Sequence, residues 1–270
     1  MNRYKYFSIL PFLIFYTFNF SFCQYKEVKP FHLDFTREAI ILGSGTAAAA
    51  TAYLILKNIQ PLTSQEINML NPADVNGFDR GAIGPYTEDT PGDVLLYASF
   101  LLPASFLAYN ETRNDIYELA IMYAEVLLIQ GSINGIVKET VLRTRPYVYN
   151  GETAIDEKTT TEARISFYSG HTSICAAASF FTAKVFSEYL TDNTTKILIW
   201  SGAAILPAAM AVMRVNSHWH FPTDVMVGYA VGALVGYFIP ELHKTKMGED
   251  VSIYPSIDIN RPALSLQIKF

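Results

Sequence analysis

Six apolar segments, at residues 39–56, 94–108, 119–137, 172–190, 197–213 and 225–240, leave this chain few ways to fold. They are rich in Ala, Leu, Val and Gly and lack period-two alternation, so each is expected to be a helix. Their small residues, alanines at 47–50, 176–178 and 208–209, suit close helix–helix approach. Gly228, Gly232 and Gly236 recur every four residues and give one helix a smooth face, expected to serve packing. A bilayer span needs about 20 apolar residues. Several segments are shorter, and Glu125, Lys184 and Glu188 interrupt two of them. With 50% hydrophobic and 17% charged residues, the chain is neither disordered nor a coiled coil. A mean hydropathy of +0.19 leaves both a soluble bundle and a set of spans open. A net charge of −5 argues against a nucleic-acid partner.

The chain opens like an export signal. Arg3 and Lys5 precede an uncharged apolar run, and Ser21 and Cys23 hold the −3 and −1 positions of a cleavage before Gln24. The uncharged run at 6–25 is also long enough to be an uncleaved anchor. Phe22 stands where a lipoprotein signal needs a small residue. Removal of Cys23 would leave Cys175 alone, and packing would have to do the work of a disulfide. Residues 57–93 read as a long acidic connection carrying Glu66, Asp74, Asp79, Glu88, Asp89 and Asp93, with turns at Asn71-Pro72, Asn76-Gly77 and Pro91-Gly92. Residues 147–168 form a second polar connection. In the tail, Leu264, Leu266, Ile268 and Phe270 alternate with polar residues, a strand pattern that 251–258 could pair with.

Three polar clusters sit where apolar segments meet loops. The first runs from Lys138 to Arg145-Pro146. Seven residues apart on a helix, Lys138 and Arg145 would differ by about 20° and share a face. Pro146 puts Arg145 at the helix end, and Arg143 is a further cation. A basic, dipole-capping helix terminus reads equally well. The second is Tyr168-Ser169-Gly170-His171, directly before an Ala-rich helix. Free N–H groups there make an anion site, and also an ordinary cap. The third is Arg214-x3-His218-x-His220-x-Pro222-x-Asp224. Pro222 suits the first helical position, so His220 lies just before the last helix and Asp224 in its first turn. A carboxylate there can accept from one imidazole nitrogen and leave the other basic. His218 and His220 alone make a poor zinc pair.

Lys-x6-Arg-Pro, Ser-Gly-His and Arg-x5-His-x3-Asp, in that order, resemble the type 2 phosphatidic acid phosphatase (PAP2) and vanadium haloperoxidase superfamily. Tyr168 departs from its usual Pro, and Met213 from its usual Ser. The resemblance implies an all-α, six-helix, membrane-associated bundle over 39–246, after a signal or anchor at 1–23 and a segment at 24–38. The tail at 247–270 would be a short β-hairpin or extended. It implies that His220 attacks phosphorus, Asp224 orients His220, and His171 protonates the leaving oxygen. Lys138, Arg145, Ser169, Gly170 and Arg214 would hold the phosphate oxygens. No metal or other cofactor is implied, since the protein supplies the cations. The implied partners are a lipid phosphate substrate and a membrane, with no obligate protein partner. The alternatives are a soluble periplasmic acid phosphatase and a vanadium haloperoxidase, which use the same cradle.

Orientation is in tension. Cleavage at 23 starts the core outside, whereas the basic residues Lys26, Lys29, Arg37, His243, Lys244 and Lys246 put both ends of the core in the cytoplasm. Either resolution, a non-translocating N-terminus or a core that does not span, leaves the site outside the cytoplasm.

Overall fold

A computed structural model describes residues 29–245 and the backbone of 251–258 and 261–268. The signal or anchor at 1–23, its cleavage site and Lys26 lie outside the described residues. The fold is all-α. Its helices are α1 (Phe35–Leu56), α2 (Ser64–Met69), α3 (Thr90–Phe100), α4 (Asn110–Asn114), α5 (Ile116–Val141), α6 (Ile155–Lys158), α7 (Gly170–Tyr189), α8 (Asn193–Asn216) and α9 (Pro222–Leu242). A 3-10 stretch at Leu102–Ala108 extends α3. In the tail, Val251–Asp258 and Arg261–Ile268 pair antiparallel, with Val251 opposite Ile268.

The helix starts follow from side-chain caps. Asp34, Asp89, Ser169 and Asp192 each accept a backbone N–H of the first turn of α1, α3, α7 and α8. Pro222 opens α9 at a position where its missing N–H costs nothing. Helix α5 stops at Val141 because Leu142 turns left-handed at φ 50°.

Helix α7 is the axis of the bundle. Most of its length is buried, including Thr172, Ser173, Cys175, Ala176, Ala177, Ala178 and Phe181. Its neighbours are α3, α5, α8 and α9. Small side chains admit this density, and the glycine row of α9 takes it furthest. A Cβ on Gly228, Gly232 or Gly236 would lie 2.7, 2.1 or 2.3 Å from the carbonyl oxygens of Ser169, Ser173 and Ala177. The two backbones therefore touch at four-residue intervals, which fixes the start of α9 beside the start of α7. An aromatic and aliphatic core of Phe31, Phe106, Met122, Phe181 and Ile239 fills the other end.

Among the described residues, five stretches, at 35–56, 90–108, 116–149, 193–216 and 222–242, are long and apolar enough to cross a membrane, and only 11–33% of the apolar 18-residue window in each is buried. Ile40, Leu198, Ile205, Val212 and Leu234 are each more than half exposed. This outward apolar surface is that of a membrane-associated protein and does not suit a bundle bathed in water. The interrupting charges point inward instead. Glu125 is fully buried against His243, and Lys184 pairs with Glu188 and Glu241 at 3.2 and 2.5 Å.

The acidic connection at 57–93 is more ordered than its turn signals suggest. A capping box of Thr63 and Glu66 starts α2, and Arg80 ties down the carbonyls of Ala73 and Val75. Its Leu62 packs with Tyr147, Val148 and Ala163. The connection thereby lies over the end of the bundle where α7 and α9 begin.

Candidate active site

His220 sits immediately before α9 and is 1% exposed. Its Nε2 lies 3.1 Å from Arg145 Nη1. A guanidinium can only donate, so Nε2 carries the lone pair and Nδ1 the proton. Nδ1 faces Asp224 Oδ2 at 3.6 Å, longer than the direct hydrogen bond expected from the spacing. Asp224 is instead held from other directions. Oδ2 accepts from Ser166 Oγ at 2.5 Å and from the Phe221 N–H at 2.9 Å, and Oδ1 accepts from Arg143 Nη1 at 2.5 Å.

Arg145 reaches the site by a different route from the one expected. Helix α5 ends four residues earlier, so Lys138 and Arg145 do not share a helix face. After the left-handed Leu142 the chain runs extended, with Arg145 at ψ 154°, and the Arg145 N–H donates to Ala163 O at 2.9 Å. Its side chain then donates to Glu162 O, Glu162 Oε2 and Trp219 O at 2.6, 2.8 and 3.0 Å. Arg214 comes from the last turn of α8 and donates to Asp89 Oδ2 at 3.0 Å. Trp219 touches both arginines in the site, each guanidinium carbon 4.9 Å from its ring centre. Its indole N–H donates to Thr87 O.

Ser169, Gly170 and His171 form the first turn of α7. The Ser169 N–H donates to Asp224 O at 3.1 Å, which joins the two helix starts directly. Gly170 lets Asn134 and Lys138 approach the start of α7 closely. A Cβ there would lie 3.0 Å from Asn134 Oδ1 and 3.7 Å from Lys138 Nζ. His171 Nε2 donates to Asp93 Oδ1 at 2.9 Å. The structure therefore brings Lys138, Arg145, Ser169, Gly170, His171, Arg214, His220 and Asp224 to one end of the bundle. His218 turns aside at φ 62° and donates Nδ1–H to Ala82 O.

Burial, and then the charges of Arg145, Lys138, Arg214 and His171, hold the His220 imidazolium well below the usual histidine range. Burial, with Arg214 next, pushes His171 down to about 4, and Asp93 opposes this. His220 is thus a neutral, desolvated base ringed by cations, a state suited to attack on an anionic electrophile.

Several residues here were not singled out from sequence. Asp89, Asp93 and Glu162 come from connections read only as acidic or polar, Ser166 stands between motifs, and Trp219 fills an unassigned position inside the third. Arg143, noted only as a nearby cation, spans Asp224 and Asp79, while Asp79 also takes Thr223 N and Oγ1 at 3.0 and 2.7 Å. Hydrogen bonds from Thr223 and Arg143 hold the Asp79 carboxyl below its ordinary range despite its burial. A sequence signal existed for Asp89 alone, an acid directly before a Pro-Gly helix start.

These features define a helical, membrane-associated protein with an arginine- and lysine-lined cradle around one buried histidine. Residues 119–247 match the family model of the PAP2 superfamily. The chain is 28% identical over 156 residues to a PA-phosphatase related-family protein of Dictyostelium discoideum, covering 54% of this chain and 57% of the relative. It is 26% identical over 164 residues to the lipid A 4'-phosphatase of Porphyromonas gingivalis, covering 56% and 60%. The chain thus spans under two thirds of the length of these relatives. The crystal structure of a transmembrane PAP2 type phosphatidylglycerolphosphate phosphatase from Bacillus subtilis overlays at a TM-score of 0.42 with 20% identity, covering 77% of this chain and 92% of that one.

Proposed function

We propose that this chain is a phosphatase that releases phosphate from lipid phosphate monoesters or diphosphates through a phosphohistidine on His220. The carrying observation is the buried neutral His220, its Nε2 facing Arg145 with Lys138 and Arg214 close by, at the end of a membrane-associated bundle. The named activities of the relatives, on lipid A in one case, support the substrate class.

In this reading the phosphate replaces the carboxylate partners of Arg145 and Arg214, and the arginines move onto its equatorial oxygens with Lys138, Ser169 and the Gly170 N–H. Nε2 of His220 attacks phosphorus as the bond to the leaving oxygen breaks. His171 gives that oxygen a proton. Phosphate charge beside His171 offsets Arg214 and favours the imidazolium form that this step needs. Water then attacks phosphorus, His171 takes its proton, and the phosphorus–nitrogen bond breaks, which releases inorganic phosphate. Asp224 keeps the Nδ1 proton in place and offsets the charge on the ring. Catalysis is positioning plus charge stabilisation by groups of the chain itself.

The direct experiment is phosphate release by the purified chain from phosphatidate, an isoprenyl diphosphate and lipid A in mixed micelles, alongside a soluble monoester. Release from at least one lipid is expected, with inhibition by orthovanadate, which resembles the pentacoordinate state. Insensitivity to vanadate, or turnover of the soluble ester alone, would overturn the reading. The second outcome would favour a soluble-type acid phosphatase, against which the exposed apolar helix faces already argue.

Trp219 is the positioning residue of this reading. A desolvated cation–π contact contributes about 1–2 kcal/mol. Trp219→Ala is expected to lower kcat/KM about tenfold or more, mostly through KM, and Trp219→Phe to recover part of it. Unchanged KM in Trp219→Ala would remove the role.

We place the cradle on the outer side of a cell-envelope membrane. Lys29, Arg37 and Lys244 mark the opposite end of the bundle, and basic residues favour the cytoplasmic face.

A further inference from the structure

We propose that Glu38, Glu125 and His243 bind a structural divalent cation of the zinc type at the end of the bundle remote from the phosphate cradle. His220 precedes α9 and His243 follows it, so its 21 residues, about 30 Å of helix, separate the two sites. Glu38 is in the first turn of α1, Glu125 is inside α5, and His243 caps α9. One ligand atom from each lies within 4.8 Å of the others, and all three residues are buried.

The imidazole fixes the chemistry. His243 Nδ1 lies 2.8 Å from the carbonyl oxygen of Ile239, which can only accept, so Nδ1 carries a proton. Nε2 then faces Glu38 Oε1 at 3.0 Å and Glu125 Oε2 at 3.1 Å. Neither contact has hydrogen-bond geometry, and Nε2 and both Glu125 oxygens have no hydrogen-bond partner. Glu125 and His243 are both 0% exposed. A proton on Nε2 would point along the ring axis and miss both oxygens. A metal about 2.1 Å from each ligand atom, at angles of about 90–110°, sets N···O separations of about 2.9–3.4 Å. The observed spacings fall in that range. An Nδ1–H held by a backbone carbonyl is also the usual support of a metal-bound histidine.

Among the described residues, none of the neighbouring cations reaches Glu125, and only Arg37 reaches the cluster. Arg37 meets Glu38 Oε1 at 2.9 Å but spends its other contacts on the carbonyls of His32 and Leu242. Lys184 and Lys244 pair with Glu188 and Glu241. Without a cation, Glu125 is a buried carboxylate with little compensation, which is costly. One nitrogen and two carboxylate oxygens suit zinc, with water completing the shell. They suit neither a soft ion that wants thiolates nor calcium, which wants six or more oxygens. The ion would join α1, α5 and the end of α9, far from phosphoryl transfer.

The test uses the full, untagged chain in detergent, with metal content and melting temperature as readouts, so that it does not depend on the phosphatase reading. After equilibration with one equivalent of Zn2+ and dialysis, mass spectrometry should find about one zinc per chain. A strong chelator should remove it and lower Tm, and Zn2+ should restore both. Glu125→Gln and His243→Ala should lose the zinc. Glu38→Gln, at the rim and the milder change, should bind at least tenfold more weakly if those two fail to fold. Wild-type protein that retains no zinc would overturn the proposal. Zinc retained equally by wild type and Glu38→Gln would overturn it too, because the ion would then lie elsewhere.

Discussion

His220→Ala is expected to lose at least a thousandfold in phosphate release from a lipid phosphate, with the fold intact. In the proposed mechanism this residue supplies the electron pair that forms the new bond to phosphorus, and no other neutral base among the described residues occupies its place. A thousandfold is about 4 kcal/mol of barrier, the scale seen when a nucleophile is removed. The substituted side chain is smaller and leaves the Arg145 bonds to Glu162 and to Trp219 O in place. Arg145→Ala and Arg214→Ala should also fall steeply, but for a different reason, since each removes charge stabilisation and leaves Glu162 or Asp89 without its partner. Circular dichroism and melting of His220→Ala should match wild type. Turnover by His220→Ala within tenfold of wild type would remove the phosphohistidine mechanism.

The largest effect on stability is expected at Gly232, in the middle of α9. A Cβ there would stand 2.1 Å from Ser173 O and 2.8 Å from Ser173 C, and both are backbone atoms that no rotamer change can move. The helices must separate, which costs about 3 kcal/mol or more by overpacking. Alanine's helix propensity returns only about 1 kcal/mol. Gly232→Ala should therefore melt well below wild type in the same detergent. It should lose activity too, because the start of α9 moves away from Ser169. Gly202→Ala on α8 meets nothing within 4 Å and is the matched control. Equal melting temperatures for the two variants would show that the α7–α9 contact is softer than described.

What the sequence disclosed depended on whether the signal was local. Helices follow from long apolar runs, and their observed ends fall within about four residues of the segments read from composition, at caps such as Ser169 and Pro222. The position of His220 and Asp224 around Pro222 was equally local and legible. The route of Arg145 was not. Its approach depends on Ala163 O and Glu162, 17 to 18 residues away, and helical phase could not anticipate the left-handed turn at Leu142. Asp79, Asp89 and Asp93 meet Arg143, Arg214 and His171 across 64 to 125 residues. One chain carries no trace of such pairings beyond residue type. The charges that seemed to break the spans were ambiguous for a related reason. Hydropathy averages over a helix circumference, whereas Glu125 and Lys184 occupy only its inner face.

The carboxylates already seated around the cradle bear on turnover. Under the proposed mechanism, Asp89 on Arg214, Glu162 on Arg145 and Asp93 on His171 would make the pocket an anion exchanger rather than an anion trap. Arginines left uncompensated would bind inorganic phosphate tightly, and product departure would then limit each cycle. In the proposed reaction the leaving product would be replaced by tethered anions of the chain, so the positive charge that stabilises the transition state would not become product inhibition.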